Sequence, residues 1–116
     1  MIYRKATAAD VAEIATLHAK SWQQNYRASF SAHFLDHLAF ENRLKEWENR
    51  FQHHTDDQFV LLAEDEGELL GFMCAYFDHD DKYGTLLDNL HVSLQAQWKG
   101  IGTKLMTALA QEILAI

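Results

Sequence analysis

Proline is missing from all 116 residues, and cysteine occurs once. Without proline or a Gly/Ser-rich tract there is no sequence for an interdomain linker, and a chain of this length is one domain at most. A single cysteine excludes an internal disulfide. The setting of Cys74, Gly-Phe-Met-Cys-Ala-Tyr-Phe, reads as a small buried hydrophobe rather than a nucleophile. No apolar run approaches the roughly 18 residues needed to cross a bilayer, and the N-terminus has no signal-peptide pattern, so a cytoplasmic protein is expected. Basic residues are scarce as well: 10 Lys and Arg stand against 17 Asp and Glu, a net charge of −7. That balance argues against nucleic acid or an anionic membrane as partner.

Metal and nucleophile chemistry is equally thin. His33 and His37 fall at i,i+4, but Phe34 stands where His-Glu-x-x-His needs glutamate and no third ligand is placed, so an exposed helix face is the better reading. His53-His54 and Asp78-His79-Asp80-Asp81 read as polar loops, and no Ser/His/Asp spacing suggests a triad. No metal site is expected.

Alternation and turn chemistry supply the rest. Residues 2–6 read as a strand leading to Thr7, a helix cap with Asp10 adding favourable charge in the first turn. Val11, Ile14, Leu17 and His18 then form a helical stripe running toward Trp22. A second amphipathic helix carries Leu44, Trp47 and Phe51, with charges such as Glu46 and Arg50 around it. Three strands follow in hairpin order: residues 58–64, 69–77 and 85–92. The first turn is Asp65-Glu66-Gly67-Glu68 and the second spans 78–84. In the last strand, strict alternation would put Asp88, Leu90 and Val92 on one face and Leu87, Asn89 and His91 on the other.

Residues 86–106 organise the chain: an apolar strand runs through a polar turn into a glycine-opened helix whose apolar residues include Leu105, Leu109 and Ile113. The first N–H groups of a helix have no intrahelical acceptor and lie at the positive end of its dipole, so they suit a phosphate. Gly100 and Gly102 lack the Cβ that would hold a phosphate away, and Lys99 adds a cation. There is neither G-x-x-x-x-G-K-[ST] nor a third glycine to complete G-x-G-x-x-G, which excludes two rival nucleotide loops. The bland alternative is an ordinary strand-to-helix turn.

The segment Leu-x-Val followed by Gln97-x-x-Gly100-x-Gly102 resembles the acyl-CoA pyrophosphate loop of the GNAT superfamily of N-acetyltransferases, and the element order matches over nearly the whole chain. The resemblance implies an α/β (α+β) fold, a mixed and mainly antiparallel sheet flanked by helices. It further implies acetyl-CoA as cosubstrate and direct attack of a primary amine, from a small molecule or a peptide, on the thioester. On this reading His91 and Val92 give backbone contacts to pantetheine, and Gln97, Trp98, Lys99, Gly100, Ile101, Gly102 and Thr103 hold the pyrophosphate. Trp22, Tyr26 and Phe30 line the acceptor pocket, the alternative being that they only pack helix on helix. An amine of lysine type sits near pKa ~10 and must lose a proton before it attacks, so a base is needed. Asp88, acting through water, and His91 are the candidates; the alternative for Asp88 is a carboxylate that hydrogen-bonds a loop. Family members usually continue beyond this helix with elements that wall the cleft. Residues 1–116 are therefore expected to form a GNAT domain incomplete at its C-terminus, completed by another chain or by a homodimer through the open sheet edge. The alternative function is a non-catalytic CoA-binding or interaction module.

Overall fold

The computed structural model describes residues 1–80, 84–97 and 99–115, the side chains of 78–80 apart. The chain divides into two compact units, residues 1–6 with 55–116 and residues 7–54.

The first unit is a four-stranded sheet with one helix. Strands β1 (Ile2–Lys5), β2 (Gln58–Asp65), β3 (Glu68–Asp80) and β4 (Gly84–Val92) lie in the order β1-β2-β3-β4. Each neighbouring pair is antiparallel. The expected mixed sheet is thus wholly antiparallel among the described residues. Glu66 and Gly67 turn β2 into β3 with φ of 51° and 81°, the positive pair that a tight hairpin matching the strand twist requires. β3 runs three residues further than its apolar pattern suggested, into the expected turn at 78–84, of which residues 81–83 lie outside the described residues.

Residues 59–63 of β2 form an unbroken apolar run, and all five are buried, as befits a strand covered on both faces. On one face Phe59, Leu61 and Ala63 join Met73 and Ala75 of β3 and meet α3 (Ile101–Ala115) through Ile101, Leu105 and Leu109. Those three helix positions recur every fourth residue, which keeps them on a single side. Val60, Leu62, Phe72 and Cys74 are buried on the opposite face, Cys74 as expected.

The second unit holds α1 (Val11–Asn25) and α2 (Ala39–Gln52). A 3₁₀ turn at Ala8–Asp10 precedes α1, and the Asp10 carboxylate accepts the Thr7 N–H at 2.8 Å, so the cap is reciprocal rather than made by the threonine alone. A π-helical turn at Phe34–Leu38 leads into α2, which no apolar spacing had announced. Trp47 and His18 are fully buried, and the indole N–H donates to His18 Nδ1 at 3.0 Å. The expected Glu46–Arg50 pair forms at 2.8 Å on the helix surface. Among the described residues no helix is long and apolar enough to cross a membrane.

Candidate active site

The position of β4 at the edge of the sheet decides what its backbone can offer. Ser93 N–H donates to the Leu70 carbonyl at 2.8 Å, and this bond sets the phase of the β3–β4 ladder. In an antiparallel pair, bonded and non-bonded residue pairs alternate. His91, opposite Phe72, therefore turns its N–H and C=O inward to β3. Val92, opposite Gly71, and Leu90, opposite Met73, turn theirs outward to the open edge. In keeping with this, the His91 carbonyl lies 3.2 Å from where a Cβ on Gly71 would stand.

Beyond Val92 the chain makes a 3₁₀ turn at Leu94–Ala96, closed by Ala96 N–H to the Ser93 carbonyl at 3.0 Å. Gly100 then takes φ of +78°, a left-handed conformation that favours glycine, and swings the backbone into α3. The Lys104 N–H bonds the Gly100 carbonyl at 3.0 Å. The N–H groups of Ile101, Gly102 and Thr103 precede that bond and so have no acceptor within the helix. They border an open groove of about 550 Å³ lined by Leu90, Val92, Ala96, Gln97, Gly100, Ile101, Gly102 and Thr103. An amide-bearing chain could pair with the edge while an anionic group at its end meets the helix terminus.

Two titratable side chains lie on β4. The register shifts at this point: Asn89 pairs with Cys74 and Leu87 with Ala75, which leaves Asp88 as the extra residue of a bulge. The bulge breaks the alternation expected from sequence, because Leu87, opposite Ala75, shares a face with Leu90, opposite Met73. Asp88 is exposed, and its carboxylate accepts the Asn89 amide at 2.7 Å. His91 is half-buried with its ring 5.3 Å from that of Phe72, and burial holds its pKa below the usual 6.5. Its imidazole is neutral at pH 7 and able to take a proton.

The sequence profile of the acetyltransferase (GNAT) family matches residues 14–115. The chain belongs to the GNAT family. Among solved structures it is similar to a PaiA N-acetyltransferase from Thermoplasma acidophilum in complex with coenzyme A, with 19% identity and a TM-score of 0.78 over 98% of this chain and 72% of that one. A ribosomal-protein-alanine N-acetyltransferase from Brucella melitensis shares 27% identity, with a TM-score of 0.67 over 99% and 68%. An aminoglycoside 6'-N-acetyltransferase complexed with coenzyme A shares 19%, with a TM-score of 0.71 over 99% and 56%. No curated protein matches the sequence. GNAT enzymes use acetyl-CoA as cosubstrate.

Within this GNAT chain, six of the residues expected to bind the cofactor line the groove: Val92, Gln97, Gly100, Ile101, Gly102 and Thr103. Ile101 is 2% exposed, so its backbone alone faces a ligand. The Gln97 amide lies 3.5 Å from the Val92 carbonyl, at the outer limit of a hydrogen bond across the edge. Lys99 lines a different recess, with Asp65, Glu66 and Glu68 of the β2–β3 turn. Trp98 lies outside the described residues. His91, expected with Val92 to give backbone contacts to pantetheine, turns its backbone inward to β3, and Leu90 lines the groove beside Val92. The phase of an edge strand depends on its partner's register, and no periodicity within β4 reports it. In the helical unit Trp22, Tyr26 and Phe30 come together: the Trp22 and Phe30 rings stack at 5.0 Å, Tyr26 meets Phe30 edge-on at 6.4 Å, and Phe34 packs at 5.3 Å from Phe30. The Arg43 guanidinium lies 4.2 Å over Trp22, and Tyr26 and Phe30 remain 42% and 37% exposed.

Proposed function

We propose that this chain transfers the acetyl group of acetyl-CoA to a primary amine, from a small molecule or a peptide, by direct attack. The observation that carries this reading is the juxtaposition, in one groove, of the outward-facing backbone of Leu90 and Val92 with the N–H groups at 101–103. Pantetheine amides pair with the strand edge, and the pyrophosphate sits on the helix terminus, where Gly100 and Gly102 let it approach. Gln97 and Thr103 border that end of the groove and bind the same phosphates.

In the transfer the neutral amine nitrogen bonds to the thioester carbonyl carbon and the C–S bond breaks, releasing CoA as thiolate. The proton lost by the amine passes through water to Asp88, with His91 as second acceptor, and the thiolate takes a proton from solvent. Asp88 is suited by its place on a bulge, where the strand turns a side chain out of the regular ladder. Trp22, Tyr26 and Phe30 contribute an aromatic surface for the acceptor. Homodimerisation through the open sheet edge and a cytoplasmic setting complete the reading.

Calorimetry with acetyl-CoA, followed by a thiol-release assay over a panel of amines, tests it. Binding with thiol release that depends on amine is expected. Binding without turnover would make the chain a CoA-binding module instead, and no binding by the wild-type chain would end the proposal.

A further inference from the structure

Gly71 lies inside β3, away from any turn, and its φ is not in the left-handed region, so backbone freedom does not explain it. Close approach does. A Cβ built there would lie 3.2 Å from Ile101 Cγ2, 3.2 Å from the His91 carbonyl oxygen and 3.4 Å from Val92 Cγ2. Ordinary carbon–carbon contact is about 3.5–4.0 Å, so a methyl group would displace its neighbours by a few tenths of an ångström. The His91 carbonyl is tied into the β3–β4 ladder, which leaves Val92 and Ile101 to move. Both line the groove: Val92 carries outward-facing edge groups, and Ile101 carries the first N–H of α3.

We propose that Gly71 is a positioning residue for acyl-CoA, setting the spacing between the strand edge that pairs with pantetheine and the helix terminus that holds the pyrophosphate. The inference rests on the functional reading above. A two-point ligand of fixed length is sensitive to that spacing in a way that a single contact is not, because sub-ångström errors at one end misalign the other. Gly71 touches neither the reacting atoms nor the ligand. It acts through Val92 and Ile101.

The test compares the wild-type chain, Gly71→Ala and Gly71→Ala/Ile101→Leu, the last removing the Cγ2 branch that the new methyl meets. CoA affinity is measured by calorimetry, and the steady-state constants are measured with an amine that the wild type acetylates. For Gly71→Ala, the Kd of CoA and the KM of acetyl-CoA should rise about five- to tenfold, with kcat and the KM of the amine within about twofold. The double variant should recover most of the loss. A glycine needed only for folding would instead lower kcat through the active fraction and leave KM unchanged. That pattern, unchanged CoA binding by Gly71→Ala, or no recovery in the double variant would each overturn the inference alone. Failure of the wild-type chain to bind CoA would overturn the functional reading and this inference with it.

Discussion

Gly100 and Gly102 sit two residues apart and serve different purposes. Gly100 has φ of +78° with nothing within 4 Å of where a Cβ would stand, so its constraint is conformational. Gly102 has ordinary φ, and a Cβ there would find its nearest neighbour in Val92 Cγ2 at 4.0 Å, so the protein itself has room for a methyl. Gly100→Ala should therefore destabilise the fold by about 1–2 kcal/mol in denaturant unfolding, with weaker CoA binding as the loop shifts. Gly102→Ala should leave stability unchanged or raise it by up to about 1 kcal/mol, because alanine is the better helix former, yet weaken CoA binding by occupying the ligand's space. Equal stability loss in both variants would contradict this division. His91 gives a pH prediction of the same scale. Burial lowers its folded-state pKa below 6.5, so the unfolded chain binds the proton more readily and acid favours unfolding. Its contribution is complete above pH 6.5 and is lost as pH falls from there through the folded pKa. Thermal unfolding of His91→Gln should show a shallower fall below pH 6.5 than wild type, and identical slopes would refute the assignment.

At the scale of elements, α3 separates a buried from an exposed apolar side. Leu105 is fully buried between helix and sheet, whereas Leu114 is 85% exposed on the same helix. Leu105→Ala should cost about 2–5 kcal/mol by urea unfolding and Leu114→Ala less than about 0.5 kcal/mol. The contrast shows what spacing in a sequence reports. Leu105 and Leu109 were legible as a helix stripe, whereas Ile113, read with them, is 40% exposed; the β2–β3 hairpin was legible too, and its Glu66-Gly67 pair turns with positive φ at both positions. Both are local signals, fixed by residues within a few positions of each other. The bulge at Asp88 was not legible. Leu86 and Leu87 are both apolar, so shifting the alternation by one residue leaves the pattern looking the same, and only pairing with Cys74 and Ala75 reveals the extra residue. The resemblance implied pantetheine contacts at His91 and Val92, whereas the register turns the backbone groups of Leu90 and Val92 outward. The direction of Lys99, toward the acidic β2–β3 turn instead of the groove, depends on a hairpin some thirty positions upstream in the chain, which no motif encodes.

For the molecule as a whole, the charge is unevenly divided. Residues 1–6 and 55–116 carry eleven acidic and five basic side chains, a net −6, while residues 7–54 carry six and five, a net −1. The unit that holds the candidate phosphate site is thus the strongly acidic one, and the loop's own lysine lines a recess with three carboxylates. Anion binding here rests on oriented N–H dipoles at 101–103, which act at contact range, against a longer-range repulsion from the unit's net charge. Salt screens the second far more than the first, since the Debye length shortens from about 20 Å at 20 mM to under 10 Å at 0.3 M. CoA binding should accordingly stay constant or tighten as NaCl rises over that range, the reverse of a lysine-lined phosphate site, where salt weakens binding. A cationic amine acceptor is attracted by the same field, so its KM should increase with salt while that of acetyl-CoA does not. Lys99→Ala should change CoA affinity by less than about threefold, because a cation facing carboxylates lends little to a phosphate elsewhere. Calorimetry at three salt concentrations on wild type and Lys99→Ala decides the matter: CoA affinity that falls steadily with salt and collapses in the variant would place Lys99 on the phosphate and overturn the dipole account.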